Sequence, residues 1–346
     1  MIKKNNAQVQ RHELQPNELS EKTKKSMKTR IISAIVLALI VVPAIFLGDW
    51  FYFSLMTLAM AFACFEILGC AGKRTIVIYI IYFLFVALIA YWPMFKGIVV
   101  KAADYSKVDT YFIQIVLPLV PIMVGTFVLF WLTVIYKDFS VVDASFLVTM
   151  AVIIGMGFQC LLYLRYFPMH RLGIPDNDAW RFTVKNTIVP SILIIFVFIC
   201  AIMTDIGAYF VGVLFGKTKM NERISPNKTW EGFFGGIAIS FIVSTIIGLS
   251  LAFTDHPILD IFDKEKWYNI LILSFLTPFF ATLGDFVFSA IKRHFGIKDY
   301  GKLIPGHGGV LDRLDSIFFA SIVAAIVVFI AATVNGDPNN WVNILV

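Results

Sequence analysis

The chain has 346 residues, of which 59% are hydrophobic and 15% charged, with a formal net charge of +6 and four cysteines. An ordinary soluble domain carries roughly 25% charged residues, so this composition argues against a soluble globular fold and for a polytopic membrane protein, whose solvent is lipid. Cys64, Cys70, Cys160 and Cys200 lie in or beside apolar runs without a CxxC pair, which argues against a zinc ribbon or a disulfide framework. The positive charge speaks to membrane orientation, not to nucleic acid.

Residues 1–30 carry Lys3, Lys4, Arg11, Lys22, Lys24, Lys25, Lys28 and Arg30 with almost no apolar pattern. They read as a basic cytosolic tail, partly disordered, too long and polar for the n-region of a signal peptide, so the first span is expected to stay uncleaved. Apolar runs long enough to cross a bilayer follow at Ile31–Leu47, Phe51–Leu68, Thr75–Met94, Tyr111–Tyr136, Ala144–Leu164, Pro190–Phe215, Trp230–Phe253, Trp267–Ile291 and Ser316–Val334, about nine in all. The first two are joined only by Gly48, Asp49 and Trp50, a tight hairpin, and the fourth holds Pro118 and Pro121, which predict a kink or a start outside the membrane. The expected fold class is therefore all-α, with an amino-terminal set of helices over 31–183 and a carboxy-terminal catalytic set over 184–346.

With the amino terminus inside, Gly69–Arg74, Lys137–Asp143, Gly216–Thr229 and Lys292–Asp315 are the cytosolic loops; the outer loops Phe95–Thr110 and Arg165–Lys185 also hold cations, so charge bias fits only in part. The two most polar loops follow the sixth and eighth spans and so share a side. None reaches the roughly 50 residues of a separate domain. Any chemistry must take place in a cavity made by helix ends and these loops, open to the cytosol and laterally to lipid.

Carboxylates inside apolar runs mark where that cavity lies. Asp205 in the sixth span and Asp285 in the eighth would each cost about 2.5–3.5 kcal/mol at the centre of a lone helix, and such residues face a bundle interior or a wet cavity. Glu66 in the second span poses the same question with no motif beside it. Ser289 and Lys292 follow Asp285 at i+4 and i+7, so the three share one helix face running from membrane depth to the cytosolic edge, suited to a metal followed by a phosphate chain or to a simple charge pair. At the start of the ninth span Asp312 and Asp315 share a face at i and i+3, with Arg313 pointing elsewhere. Carboxylates converging from two helices make a hard-oxygen site that suits Mg2+.

The loop between them reads IPGHGG, residues 304–309, a flexible backbone whose N–H groups can come close to phosphate oxygens. His307 there reads as a phosphate donor ahead of a loop hydrogen-bonder or a proton carrier. In the loop after the sixth span, Ser225 and Pro226 read as an N-cap and first helical residue, which would present a helix N-terminus, with Lys228 and Thr229 beside it, as an anion site. Ala208, Gly212 and Gly216 on the sixth span and Gly232 and Gly236 on the seventh have small-xxx-small spacing, predicting close backbone packing of that pair.

Residues 289–315 resemble, almost end to end, the signature of phosphatidate cytidylyltransferases, also called CDP-diacylglycerol synthases. The matching positions are Ser289, Lys292, Arg293, Lys298, Asp299, Pro305, His307, Gly308, Gly309, Asp312, Arg313 and Asp315. A second block is similar: Asp205, Gly207, Ala208, Tyr209, Gly212, Gly216, Ser225, Pro226, Lys228, Thr229, Glu231 and Gly232, with Asn227 standing where a lysine or arginine is common. The resemblance covers roughly residues 200 to 334; the first five spans match only in being hydrophobic.

It implies transfer of the CMP moiety of CTP to phosphatidic acid, giving CDP-diacylglycerol and pyrophosphate, with Mg2+, alone or with a second metal ion. Metal ligands would be Asp285 and Asp312, joined by Asp315. Asp205, Lys292 and His307 would complete the catalytic set. Ser225, Lys228, Thr229, Ser289, Arg293, Lys298, Gly308, Gly309 and Arg313 would bind substrate. Because the nucleophile is an already ionised phosphate, His307 is expected as donor, not base. Membrane lipids would be partners, with room for a homodimer, in a bacterial inner membrane with the amino terminus and active-site loops cytosolic. Two rivals are an ion-coupled transporter using Asp205 and Asp285, for which no inverted repeat is found, and a cytidylyltransferase for another lipid phosphate. The Asp-Gly-x-x-Ala-Arg motif of the CDP-alcohol phosphotransferases is absent.

Overall fold

In the computed structural model the described residues are 21–73, 75–94, 119–171, 184–254 and 257–335. Lys3, Lys4 and Arg11 of the basic tail, the expected outer loop from Phe95 to Thr110 and the start of the fourth span with Pro118 lie outside them. The elements in order are α1 (Glu21–Leu47), α2 (Asp49–Cys70), α3 (Ile76–Ala90), α4 (Val120–Ile135), α5 (Val141–Arg171), α6 (Val184–Phe215), β1 (Lys219–Asn221), β2 (Ser225–Thr229), α7 (Trp230–Ala252), a 3-10 turn (Asp260–Phe262), α8 (Tyr268–His294) and α9 (Leu311–Asn335). Seven helices among the described residues are long and apolar enough to cross a membrane, while α3 and α4 have 15 and 16 residues. At 1.5 Å per residue these two fall short of the roughly 30 Å hydrocarbon core. Regular helix in α3 ends at Ala90, before Pro93, which cannot continue it.

Local chemistry sets the helix ends. Gly48 alone separates α1 from α2, with φ 65, the left-handed conformation that glycine adopts without strain. The buried Arg165 packs on that turn and its Nε donates to Ile45 O at 2.8 Å. At the start of α5, Ser140 and Asp143 form a reciprocal cap: Asp143 Oδ2 accepts from Ser140 N at 2.9 Å, and Ser140 Oγ accepts from Asp143 N at 3.2 Å.

The bundle is built around α5, which packs on α3, α4, α6 and α9, and its dry centre includes Phe158 against Phe318 at 5.0 Å between centroids. The most extensive pairing is α6 with α7, along the seam that the small residues predict. A Cβ on Gly236 would lie 2.7 Å from Thr204 O, and one on Gly232 would lie 2.8 Å from Ala208 O, so only hydrogen fits between these backbones.

The N-terminus expected at Ser225 is not a helix start. Ser225–Thr229 is strand β2, paired antiparallel with β1 through Lys219↔Thr229 and Asn221↔Ser225. The N-cap of α7 is Thr229, whose Oγ1 accepts from Gly232 N at 3.1 Å. Both positions carry a hydroxyl residue favoured as a cap; backbone pairing in the hairpin decides between them.

Candidate active site

The two polar loops meet at one end of the bundle. Lys228, on β2, forms an ion pair with Asp285 of α8 and places its Nζ 4.3 Å from the centre of the Phe286 ring. Arg293, near the end of α8, donates through Nε to Ile224 O at 3.1 Å and through Nη1 to Ile297 O at 2.8 Å, fastening one loop to the other. The helical stripe read from the sequence is present: Ser289 Oγ donates to Asp285 Oδ1 at 3.2 Å, and one turn further Lys292 lies buried between Asp312 Oδ1 at 2.9 Å and Asp315 Oδ2 at 3.7 Å. Asp205, on α6, is within electrostatic reach of Asp285, Lys228 and Arg313 while its side chain remains accessible from outside the bundle.

Asp312 and Asp315 share the first turn of α9 but differ in commitment. Asp312 Oδ2 accepts from Tyr300 N at 2.8 Å and Gly309 N at 2.9 Å, so it holds the glycine loop as well as Lys292. Gly308 passes so close, with φ 86, that a Cβ would lie 2.9 Å from Asp312 Oδ2. Asp315 Oδ1 accepts from the amide of Ser316 at 2.8 Å, and its charge interacts with that of Asp285 on α8. Arg313 is exposed, and its charge is felt by Asp205, Asp315 and His307. Lys298 is exposed on the loop.

His307 is held by a partner that the sequence did not suggest. Its Nδ1 lies 2.7 Å from Ser33 Oγ of α1, while the loop closes on itself through Ile304 N to Gly308 O at 2.8 Å. Partial burial, then the Arg313 and Arg30 charges, push the imidazole below the ordinary 6.5, which keeps it neutral at pH 7. Tyr300 donates through its hydroxyl to Phe288 O at 3.0 Å, and burial raises its phenol, so it remains a neutral donor.

At the α7 N-terminus, beside the helix end expected to hold an anion, two side chains are engaged. Thr229 Oγ1 is committed to capping, and Glu231 in the first turn of α7 accepts from Thr218 N at 3.1 and 3.2 Å. Ser225 sits half-buried in the hairpin, away from the α7 N-terminus. The question that Glu66 posed in the second span is answered by the start of α9. Glu66 is buried, its Oε1 accepts from Val310 N at 2.9 Å, and its Oε2 accepts from Leu311 N at 2.8 Å. No local motif signals this, because the partners lie 244 and 245 residues away.

Among the described residues no group of three or more His, Cys, Asp or Glu side chains is disposed to hold a metal ion. Mg2+, however, is commonly bound by one or two carboxylates together with substrate phosphates. Asp285 and Asp315, on different helices with interacting charges, could offer hard oxygen donors of that kind, with Asp312 joined to them through Lys292.

A buried lysine between two carboxylates, a second lysine on a third, and a glycine loop anchored beside them form one charged cluster at the ends of apolar helices. Comparison with known proteins gives it a lineage. The family model described as "Cytidylyltransferase family" matches residues 28–331, so the chain belongs to the cytidylyltransferase family. It is 32% identical over 294 residues to a phosphatidate cytidylyltransferase of Staphylococcus haemolyticus, covering 85% of this chain and 95% of that one. A phosphatidate cytidylyltransferase of Staphylococcus saprophyticus is 38% identical over 195 residues, which spans 56% of this chain and 63% of the relative. One of Staphylococcus aureus is 35% identical over 205 residues, 59% of this chain and 66% of the relative.

Proposed function

We propose that this protein joins CTP and phosphatidic acid to give CDP-diacylglycerol and pyrophosphate, with Mg2+ as cofactor. The observation that carries this reading is the meeting of both polar loops in one charge cluster, with Lys228 on Asp285 and Lys292 between Asp312 and Asp315. A phosphatidate oxygen forms a bond to the α-phosphorus of CTP as the bond from that phosphorus to the β-phosphate breaks, and the electron pair leaves with pyrophosphate. Two polyanions must come together for this, and the barrier is chiefly electrostatic. Mg2+, when bound by Asp285, Asp315 and Asp312, supplies neutralisation of the triphosphate.

The chain's own cations do the rest. Lys228, Lys292 and Arg313 face the cavity and balance the phosphates. Lys228 exchanges its carboxylate partner for a phosphate oxygen when nucleotide enters. Arg293 acts from behind by fastening the two loops. Asp205 marks the accessible side of the cavity next to Asp285. Neutral His307 hydrogen-bonds a phosphate and takes up no proton, because the nucleophile is already ionised. The amino terminus and this end of the bundle face the cytosol of a bacterial cell, where CTP is found, and the lipid arrives sideways; the apolar surface of α1, with Leu39 at 68% exposure, suits contact with acyl chains.

The test is purified protein in mixed micelles with labelled CTP and phosphatidate. Labelled CDP-diacylglycerol should form with Mg2+ and not with chelator. Absence of labelled lipid under both conditions, with Asp285-dependent ion flux in vesicles, would instead support a transporter. Turnover only with a different lipid phosphate would move the substrate while keeping the chemistry.

A further inference from the structure

We infer that Glu66 is a positioning residue for nucleotidyl transfer, acting from α2 through the backbone of residues 309–311 to set Asp312 and the glycine loop. This rests on the reading above that Asp312 belongs to the reacting centre. Glu66 is 4% exposed. Its carboxylate oxygens each take one backbone N–H at the start of α9, from Val310 and Leu311. These amides lack intrahelical partners, and a carboxylate there also meets the positive end of the helix dipole. The neighbouring amide, Gly309 N, goes to Asp312 Oδ2. Three consecutive N–H groups are thus divided between two carboxylates, one from the amino-terminal helices and one from the signature.

Two glycines confirm how closely this contact is fitted. A Cβ on Gly309 or on Gly301 would collide with Glu66 Oε1, and at Gly301 the three nearest atoms all belong to Glu66. Gly301 is not among the positive-φ glycines, so Glu66, and not backbone conformation, requires its small size. Five helices of unspecific sequence precede α6, and Glu66 gives α2 a part in the chemistry: it holds the platform on which Asp312 stands.

The experiment compares Glu66→Gln, Gly301→Ala and the double variant in proteoliposomes, reading kcat and KM for CTP together with hydrogen–deuterium exchange. Gln keeps one acceptor but turns an NH2 towards a backbone N–H. We expect kcat to fall roughly 10–100-fold, as for other groups that orient a reacting centre, with KM for CTP changed by no more than about twofold. Exchange should accelerate over residues 305–312 and stay unchanged elsewhere. Gly301→Ala should reproduce both effects, and the double variant should be no worse than either single one, because both break one contact. Faster exchange with unaltered kcat overturns the inference, as does additivity, or a loss of kcat that tracks a general loss of thermal stability. If Glu66→Gln does not fold, Gly301→Ala decides alone: full kcat overturns the inference. Should Asp312→Asn retain full activity, the reading of the reacting centre fails, while exchange in Glu66→Gln still reports whether the carboxylate holds the loop.

Discussion

Replacing Lys292 by methionine removes the single ammonium that lies between Asp312 Oδ1 at 2.9 Å and Asp315 Oδ2 at 3.7 Å. All three side chains are buried, and methionine fills nearly the same volume, so loss of packing is small. What remains is two carboxylates facing each other without a counter-ion. Removing one partner of a buried pair costs about 3–5 kcal/mol, equivalent to roughly 160- to 4,700-fold in a folding equilibrium at 1.36 kcal/mol per decade. Thermal unfolding in detergent should show a large loss for Lys292→Met and almost none for Lys264→Met on the exposed loop before α8. Combining Lys292→Met with Asp312→Asn removes one of the stranded charges and should recover much of the stability without restoring CDP-lipid synthesis. Equal unfolding temperatures for the Lys292 and Lys264 variants, or a double variant less stable than Lys292→Met, would refute this account of the cluster.

Asp285→Asn should abolish CDP-lipid formation in a protein that still inserts and folds; full Mg2+-dependent turnover would reject its assignment as a ligand. Gly236→Ala forces a Cβ to within 2.7 Å of Thr204 O and should destabilise by about 1–3 kcal/mol through overpacking, read as a lower unfolding temperature with weaker CTP binding as β2 moves from α8. Thr229→Ala removes the cap on Gly232 N and should cost about 1 kcal/mol, measured the same way. The folded chain holds His307 below its ordinary 6.5, so between those values the unfolded chain binds more protons and stability rises with pH. It should fall as the medium is acidified through 6.5, and His307→Gln should remove that part of the slope in pH-resolved unfolding.

The stripe of Asp285, Ser289 and Lys292 was legible because a helix repeats every 3.6 residues and the stripe needs no partner to be seen. Asp312 and Asp315 were legible for the same reason. The α6–α7 seam could be read from glycine spacing, since nothing else permits backbones so close. The cap of α7 was misread because Ser225 and Thr229 both satisfy the local rule, and a three-residue strand with no periodicity of its own settled it. Glu66 stood out as a carboxylate in an apolar run, but its partners, like the Ser33 contact to His307, were beyond reach in principle, because each contact closes a loop of more than 240 residues.

The glycine seam between α6 and α7 has a mechanical consequence. Two helices whose main chains touch cannot slide or roll without collision, so they behave as one stiff strut with the β1–β2 hairpin as its tip. Such a short ribbon would be floppy if left to its own hydrogen bonds. Mounted this way, it delivers the Lys228 ammonium with the rigidity of the beam beneath it.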